Sequence, residues 1–374
     1  MNADIVIVGG GIAGLYAAYR LLQTAAAPPS IILLEKDKRL GGRAGTARFR
    51  GVDIVTGAGI GRVEKDVLLA GLMRELGLEV NSWPMRGSLK GGPLRKLRAA
   101  LSPESVRETF EDYGKRILGA EEFSQWIAAI GYTDLMRANA RDTVLNYGLE
   151  DFVTSAKRNG FTVPWGDLVA QLYAAVKNKI TIVRDCEASA IDQNARKIKT
   201  SHGTFKWHHK LIIATDINGI RTLLPNYKHI RGQPFSRVYA QFAEGPGPAL
   251  PIDELTVVGG VLQKVIPIDV KKRVYMIAYN DNAATNELYN SGHFLDKKYY
   301  QKELTRIFGV KVPAIKYLKT FYWPIGTHYT EPHVPSKENL LNPRPGIFVV
   351  GEAVSKHQGW TEGAFETVEA MLKK

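Results

Sequence analysis

Asp4-Ile5-Val6-Ile7-Val8-Gly9-Gly10-Gly11-Ile12-Ala13-Gly14 begins as a short apolar run and closes on spaced glycines. An apolar run of this length reads as a strand buried on both faces of a parallel sheet. Gly9, Gly11 and Gly14 fit the spacing G-x-G-x-x-G, and Leu15 to Leu22 follow with helix-forming, apolar-spaced residues. A second strand, Ser30 to Leu34, ends in Glu35, 21 residues after Gly14. Gly9 permits the tight turn, Gly11 lets the backbone approach a pyrophosphate, and Gly14 lets helix and strand pack closely. The helix N-terminus offers free N–H groups to the phosphates. Glu35 can accept hydrogen bonds from ribose hydroxyls, and its charge disfavours a 2′-phosphate. This unit predicts a dinucleotide site and leaves NAD and FAD undistinguished.

Immediately downstream stands Arg39-Leu40-Gly41-Gly42-Arg43-Ala44-Gly45-Thr46. It resembles the R-x-G-G-R-x-x-[S/T] signature of the flavoprotein amine oxidase superfamily, which includes monoamine and polyamine oxidases, protoporphyrinogen oxidase and carotene desaturases. The resemblance implies FAD, with Gly41 and Gly42 approaching it closely and Arg43 near its pyrophosphate. Ile12, Ala13 and Lys36 join that cofactor-binding set. The segment Val52 to Ile60 resembles the stretch that passes beneath the flavin ring in that family, with Gly57, Ala58, Gly59 and Ile60 in contact. Small residues there suit backbone contact with a planar ligand.

The middle of the chain reads as helical, with apolar spacing over 66–79 and helices expected at 103–118, 120–130, 132–146 and 166–177. Strands return at Ile180–Val183, Ala188–Ile191, Lys197–Thr200 and Lys210–Thr215. By resemblance, Ala188 offers backbone hydrogen bonds to the adenine. Cys186 reads as a small buried packing residue. His208 and His209 are adjacent on an extended segment and point to opposite faces, so no metal is expected. From about 235 to 325 the pattern is β-rich, at Ser236–Phe242, Leu255–Val258, Val274–Tyr279 and Ile315–Trp323, with a helix near 297–308.

The amine oxidases of this family usually carry a lysine on the first of these strands, where it holds a water at flavin N5. Matching that strand puts Arg237 at the position. Arginine is larger and planar, so the exchange is not conservative. Either Arg237 fills the role, or Lys264 does from a neighbouring strand, or the oxygen chemistry differs.

Towards the C-terminus, Gly346 to Ala353 reads as a strand ending in Gly351-Glu352, and Gly359-Trp360-Thr361-Glu362-Gly363-Ala364 opens a last helix. This resembles the family's C-terminal flavin motif. The resemblance implies that Glu352 bonds the ribityl chain. It also implies that the N–H groups of Thr361 and Glu362, with Ala364 behind them, face the N1–O2 edge. A helix N-terminus there stabilises negative charge on reduced flavin. Trp360 and Tyr329 match the two aromatics that sandwich an amine. Where some members attach FAD through a cysteine beside the second aromatic, this chain has His328, so noncovalent FAD is expected.

The chain has 374 residues, 45% apolar and 23% charged, and one cysteine. That composition excludes wholesale disorder, and a single cysteine excludes an intrachain disulfide or iron–sulfur cluster. Net charge is +13. The basic residues are dispersed, densest at Arg86, Lys90, Arg95, Lys96 and Arg98, so no specific nucleic-acid or membrane partner is expected. No basic n-region and no span of about 20 apolar residues stand out, which predicts a cytoplasmic protein. The fold class expected is α/β. A discontinuous Rossmann-like FAD-binding domain with a parallel sheet (1–80, 178–232, 335–374) would join a mixed-sheet and helical substrate domain (81–177, 233–334). The activity implied is an amine oxidase passing hydride from a small-molecule amine to flavin N5, with molecular oxygen as acceptor. A desaturase or dehydrogenase acting on an anionic non-amine, and an inactive flavin-holding protein, are the alternatives.

Overall fold

A computed structural model describes residues 1–374 except 25, 26, 86, 88, 154–157 and 335–337. Arg86 of the basic stretch therefore lies outside the described residues, as does the stated start of the third cofactor-domain segment.

The opening apolar run forms the strand Asn2–Val8, flanked by a strand on each edge and buried on both faces, with Ile5 and Ile7 in one hydrophobic cluster and Val6 and Val8 in another. It pairs in parallel with Ile31–Leu34 and with the long strand Gly203–Ile213. Thr181–Val183 extends the sheet beyond Ile31–Leu34 in parallel. The strand Gly203–Ile213 divides its pairing: its first residues meet Lys197–Thr200 antiparallel, and its last three meet Ile347–Val349 in parallel. Ala188–Asp192 completes this seven-stranded sheet. The helix Ile12–Thr24 packs against the last helix, Thr361–Leu372, with Tyr16 and Phe365 rings 4.3 Å apart. Cys186 is buried on the opposite side of the sheet, among Ile198, Trp207 and Leu211.

A second sheet of five strands is antiparallel throughout its recorded pairings, in the order Thr256–Gly259, Gln263–Asp269, Val274–Asp281, Ile230–Phe242, Ile315–Thr330. A helical cluster over 92–152 has its own core of Leu97, Phe110, Tyr113, Phe123, Trp126 and Ile130. The structure corrects several expected elements. The helix expected over 132–146 occupies only Ala140–Asn146. Gly131, left-handed at φ 70°, ends the preceding helix, and Asn139 caps the next by accepting from the Asp142 N–H. The released loop carries Thr133 and Asp134. The helix expected over 103–118 breaks into a short 3-10 turn, Pro103–Arg107, and the helix Phe110–Leu118 capped by Thr109. The strand expected over 346–353 is three residues long. The Gly- and Pro-containing basic loop holds a helix, Gly92–Ala99, because proline is tolerated in a first turn. Asn282–Asn290, Gln263–Asp269 and a three-stranded sheet of Gly61–Arg62, Ser82–Met85 and Arg158–Phe161 are further elements.

Among the described residues, no helix is long and apolar enough to cross a membrane.

Candidate functional site

The glycines do distinct steric work. A Cβ on Gly14 would stand 1.9 Å from the Gly9 carbonyl oxygen, so only glycine lets this helix start against its strand. Gly9 is left-handed at φ 107° and has the Ala214 carbonyl where its Cβ would be. Gly11 differs: a Cβ there meets nothing within 4 Å. Gly11 bridges to Gly41, the Gly41 N–H donates to the Gly10 carbonyl at 2.8 Å, and a Cβ on Gly42 would reach the Gly11 Cα at 3.4 Å. Glycines from two segments thus leave an open, side-chain-free face at the start of Ile12–Thr24, with Ile12 half-buried and Ala13 buried in its first turn. This is the shape a pyrophosphate needs.

Glu35 lies beneath that turn, its carboxylate accepting from the N–H groups of Gly10 (2.6 Å) and Asp37 (2.8 Å). Burial pushes its pKa up, against the pull of those two amides. Its own carbonyl accepts from the Cys186 N–H at 2.8 Å, which brings the Ala188 strand alongside. Lys36 is exposed next to it.

Arg43 turns to the chain's other end. Its Nη1 donates to the Gly326 carbonyl (2.6 Å) and to Glu352 Oε1 (2.7 Å). The same carboxylate is bonded by His328 Nδ1 and by the Gly359 N–H at 2.9 Å. The Ile217 N–H donates to His328 Nε2 at 3.1 Å, so Nδ1 carries the proton and donates to Glu352. Burial opposes the charge on Glu352, but His328 and Arg43 outweigh it and hold the carboxyl well below the usual range. Three distant segments are locked together here. Gly351, at φ 125°, donates to Thr367 Oγ1 and fixes the turn before Glu352.

The segment expected beneath the flavin is fastened by its carbonyls. Tyr239 Oη donates to Val55 O (2.8 Å), Trp323 Nε1 to Thr56 O (2.7 Å), Arg237 Nε to Gly57 O (2.6 Å) and Trp165 Nε1 to Gly59 O (2.7 Å). The Ala58 N–H donates to Arg43 O at 2.9 Å, and a Cβ on Gly57 would collide with that oxygen at 2.2 Å. Ile60 lies at the exposed end. Arg237 is buried with its guanidinium 4.1 Å from the Tyr279 ring centroid. Lys264 also approaches the Tyr279 ring. It is fully buried, donates to the Gly131 carbonyl, and sits 4.6 Å from the Tyr279 ring and 3.3 Å from the Tyr132 ring. Burial lowers its pKa to about 8, with Asp281 and Asp134 opposing the shift.

Sequence reasoning missed the surroundings of Trp360. Its indole Nε1 donates to the Tyr147 carbonyl, and the Arg62 guanidinium lies 3.4 Å from its ring centroid. Arg62 is buried and bound by Asp66 through Nε (3.0 Å) and Nη2 (2.6 Å), and by Asp151 through Nη1. Only the Arg62–Asp66 spacing of four hinted at this. Tyr147 Oη donates to Asp134, whose carboxyl burial and the nearby Asp281 push up to about 7. A cleft beside them is lined by Asp134, Tyr147, Gln233, His328, Tyr329 and Gly359. Tyr329 is half-buried there, and burial pushes its phenol pKa up against the pull of Arg137 and Arg231. Among the described residues, no recorded ring contact joins Trp360 to Tyr329. Thr361 begins the last helix, with no side-chain cap from Trp360. Glu362 turns away from that end, its carboxylate accepting from the N–H groups of Leu68 and Leu69 and capping the helix Val67–Glu75. Ala364 is buried behind it.

A sequence profile for an NAD(P)-binding Rossmann-like domain matches residues 7–69. Flavin-containing amine oxidase A of Sus scrofa is 34% identical over 131 residues, which is 30% of this chain and 24% of that protein. The chain thus matches about a quarter of that relative's length. Among solved structures, a redesigned double mutant of putrescine oxidase superposes with a TM-score of 0.77 at 14% identity, covering 100% of this chain and 98% of that one. A candidate protoporphyrinogen oxidase from Exiguobacterium sp. 255-15 superposes with a TM-score of 0.72 at 18% identity, covering 99% of each. Residues 7–69 thus carry a Rossmann-like dinucleotide-binding domain, about a third of the chain is similar to flavin-containing amine oxidases, and the overall fold is that of putrescine oxidase. FAD is the cofactor that the open glycine face, Glu35 and the last helix's N-terminus fit.

Proposed function

We propose that the chain is an FAD-dependent oxidoreductase. The observation that carries this is the open face at Gly11, Gly41 and Gly42, with Glu35 below it at a helix start. The cofactor unit would comprise 1–80, 178–232 and 335–374, and the substrate unit 81–177 and 233–334. Bound FAD supplies a two-electron acceptor that takes hydride at N5. The chain's own residues would hold the dinucleotide through backbone groups and brace the 55–59 segment through its carbonyls. They would also offer uncapped N–H groups at Thr361 to developing negative charge. Noncovalent binding is favoured because both ring nitrogens of His328 are already bonded and Cys186 is buried elsewhere.

An amine is the first substrate class, oxidised with oxygen as acceptor; the amine oxidase and putrescine oxidase likenesses support it. Arg237, Trp360 and Tyr329 would then form the reacting end of the site. A second reading, a neutral or anionic non-amine substrate, is favoured by two cations. Arg62 already occupies a face of Trp360, and Arg237 stands where family members carry lysine. Anaerobic titration of the flavin spectrum with amines tests both. Bleaching by one amine class supports the first reading; a stable flavin band that no amine bleaches supports the second. No flavin binding at all would refute the proposal.

A further inference from the structure

The helix Lys297–Phe308 lies flat on the five-stranded sheet's unit, burying Tyr300 and Leu304. Its outward row, Lys298, Lys302 and Arg306, repeats every four residues, which places these side chains on one face over about 12 Å of helix. An aliphatic side chain protrudes at each end. Leu295 is 71% exposed just before the helix, and Val310 is 47% exposed just after it. Tyr289, 46% exposed, stacks on Tyr322 at 3.9 Å beside Phe294, so the apolar edge is rigid. Between Leu295 and Lys319 the chain carries seven Lys and Arg against two Asp and Glu, a surplus of five out of its net +13. Both acids are engaged locally: Asp296 caps the helix, and Glu303 pairs with Arg306 at 2.8 Å.

We infer that this face docks on an anionic membrane surface. A flat row of cations framed by protruding Leu, Val and Tyr matches a headgroup plane with acyl chains just below it. The lysines take the negative surface potential and the aliphatic tips enter the boundary. A nucleic-acid groove needs neither protruding aliphatic residue. The chain need not span the bilayer for this contact, and the inference is independent of the flavin chemistry.

The test is flotation of the full chain with phosphatidylcholine vesicles, with and without phosphatidylserine. Binding is expected only with phosphatidylserine and should weaken with salt. The pair Lys298→Glu, Lys302→Glu should weaken it at least about tenfold, at roughly 1 kcal/mol per lysine. Leu295→Ser, which removes the aliphatic tip without changing the charge, should weaken it while leaving the salt dependence in place. The exposed pair Lys197→Glu, Lys199→Glu, on the other sheet, carries the same charge change and should leave binding intact. Thermal melts establish that each variant is folded. Equal binding to neutral vesicles, or equal loss in the control pair, overturns the inference. So does binding of single-stranded RNA, without vesicle binding, that the first pair abolishes.

Discussion

Arg62 lays its guanidinium 3.4 Å from the ring centroid of Trp360, and the buried carboxylates of Asp66 and Asp151 hold it there. A ring matched to an amine-holding position therefore already carries a fixed cation on one face. Its cost appears when the partner is removed. Arg62→Leu leaves the buried Asp66 carboxylate without its cation, while Asp151 keeps Lys65 at 2.8 Å, and a loss of about 3 kcal/mol is expected. Urea unfolding measures it. Trp360→Phe keeps a ring beneath the cation and should cost about 1 kcal/mol or slightly more. If Arg62→Leu unfolds with less than about 1 kcal/mol lost, the cluster does not stabilise this corner.

Gly11 and Gly14 separate ligand binding from folding. The Gly11 Cβ position is open in the protein, so Gly11→Val is expected to retain the parent's thermal midpoint within a few degrees. FAD retention should fall at least about tenfold, because the branched side chain fills the pyrophosphate's place. Gly14→Ala should instead lower stability by about 2 kcal/mol or more, since its Cβ meets the Gly9 carbonyl at 1.9 Å. Paired melts and flavin absorbance distinguish the two. A Gly11→Val protein that keeps full flavin content would place the cofactor elsewhere.

Asp134 gives a pH signature of unusual sign. Its carboxyl is pushed up to about 7, so the folded chain binds more protons than the unfolded one between about pH 4 and 7. This group's contribution to stability is present at low pH and declines as pH rises through that window. Asp134→Asn removes the slope. Relative to the parent, the variant should gain stability between about pH 5 and pH 8 in urea titrations. A variant-to-parent difference that does not change with pH would count against the buried, proton-holding carboxyl.

Arg237 tests the oxygen chemistry. Arg237→Lys supplies the ammonium that the sequence resemblance implies at this position, at the loss of the guanidinium's contact with Tyr279 and its bond to Gly57 O. Reoxidation of the reduced flavin by oxygen should quicken by about tenfold or more, read by stopped-flow absorbance. An unchanged or slower rate would mean that the cation at this position does not govern the reaction with oxygen.

The parts of this fold that could be read in the sequence are those whose causes are local. Gly9, Gly14 and the Ile5–Val8 run specify a strand, a turn and a helix within two dozen residues, and Glu35 follows at a spacing set by that unit. Lys297–Phe308 was legible for the same reason, since its apolar spacing and Asp296 cap are contiguous. The loop carrying Asp134 was not. Its residues favour helix, and the left-handed Gly131 with the Asn139 cap decides otherwise. The small sheet through Ser82–Met85 and Arg158–Phe161 hid behind Pro84 and Gly160, which argue against strands on their own. Arg43 with Glu352, and Arg62 with Asp151, join positions far apart in the chain. The sequence offered a role for the Glu362 N–H but none for its carboxylate, which caps a helix some three hundred residues earlier. Such pairings follow from tertiary geometry and leave no periodicity to find.

The seven-stranded sheet also imposes an order of events on synthesis. The strand at residues 2–8 is made two hundred residues before its neighbour at 203–213, and the strand at 347–349 that pairs with that neighbour follows later still. Until the helix Thr361–Leu372 covers Tyr16, the first helix has an uncovered apolar flank. One edge of the 2–8 strand, paired early on its other edge by 31–34, therefore stays open until some two hundred further residues have been made, which exposes an unpaired edge to aggregation. The glycine face at Gly11, Gly41 and Gly42 is encoded early, but Glu352 and the helix start at Thr361 that complete the site come last, so the full site closes only after those segments have joined it.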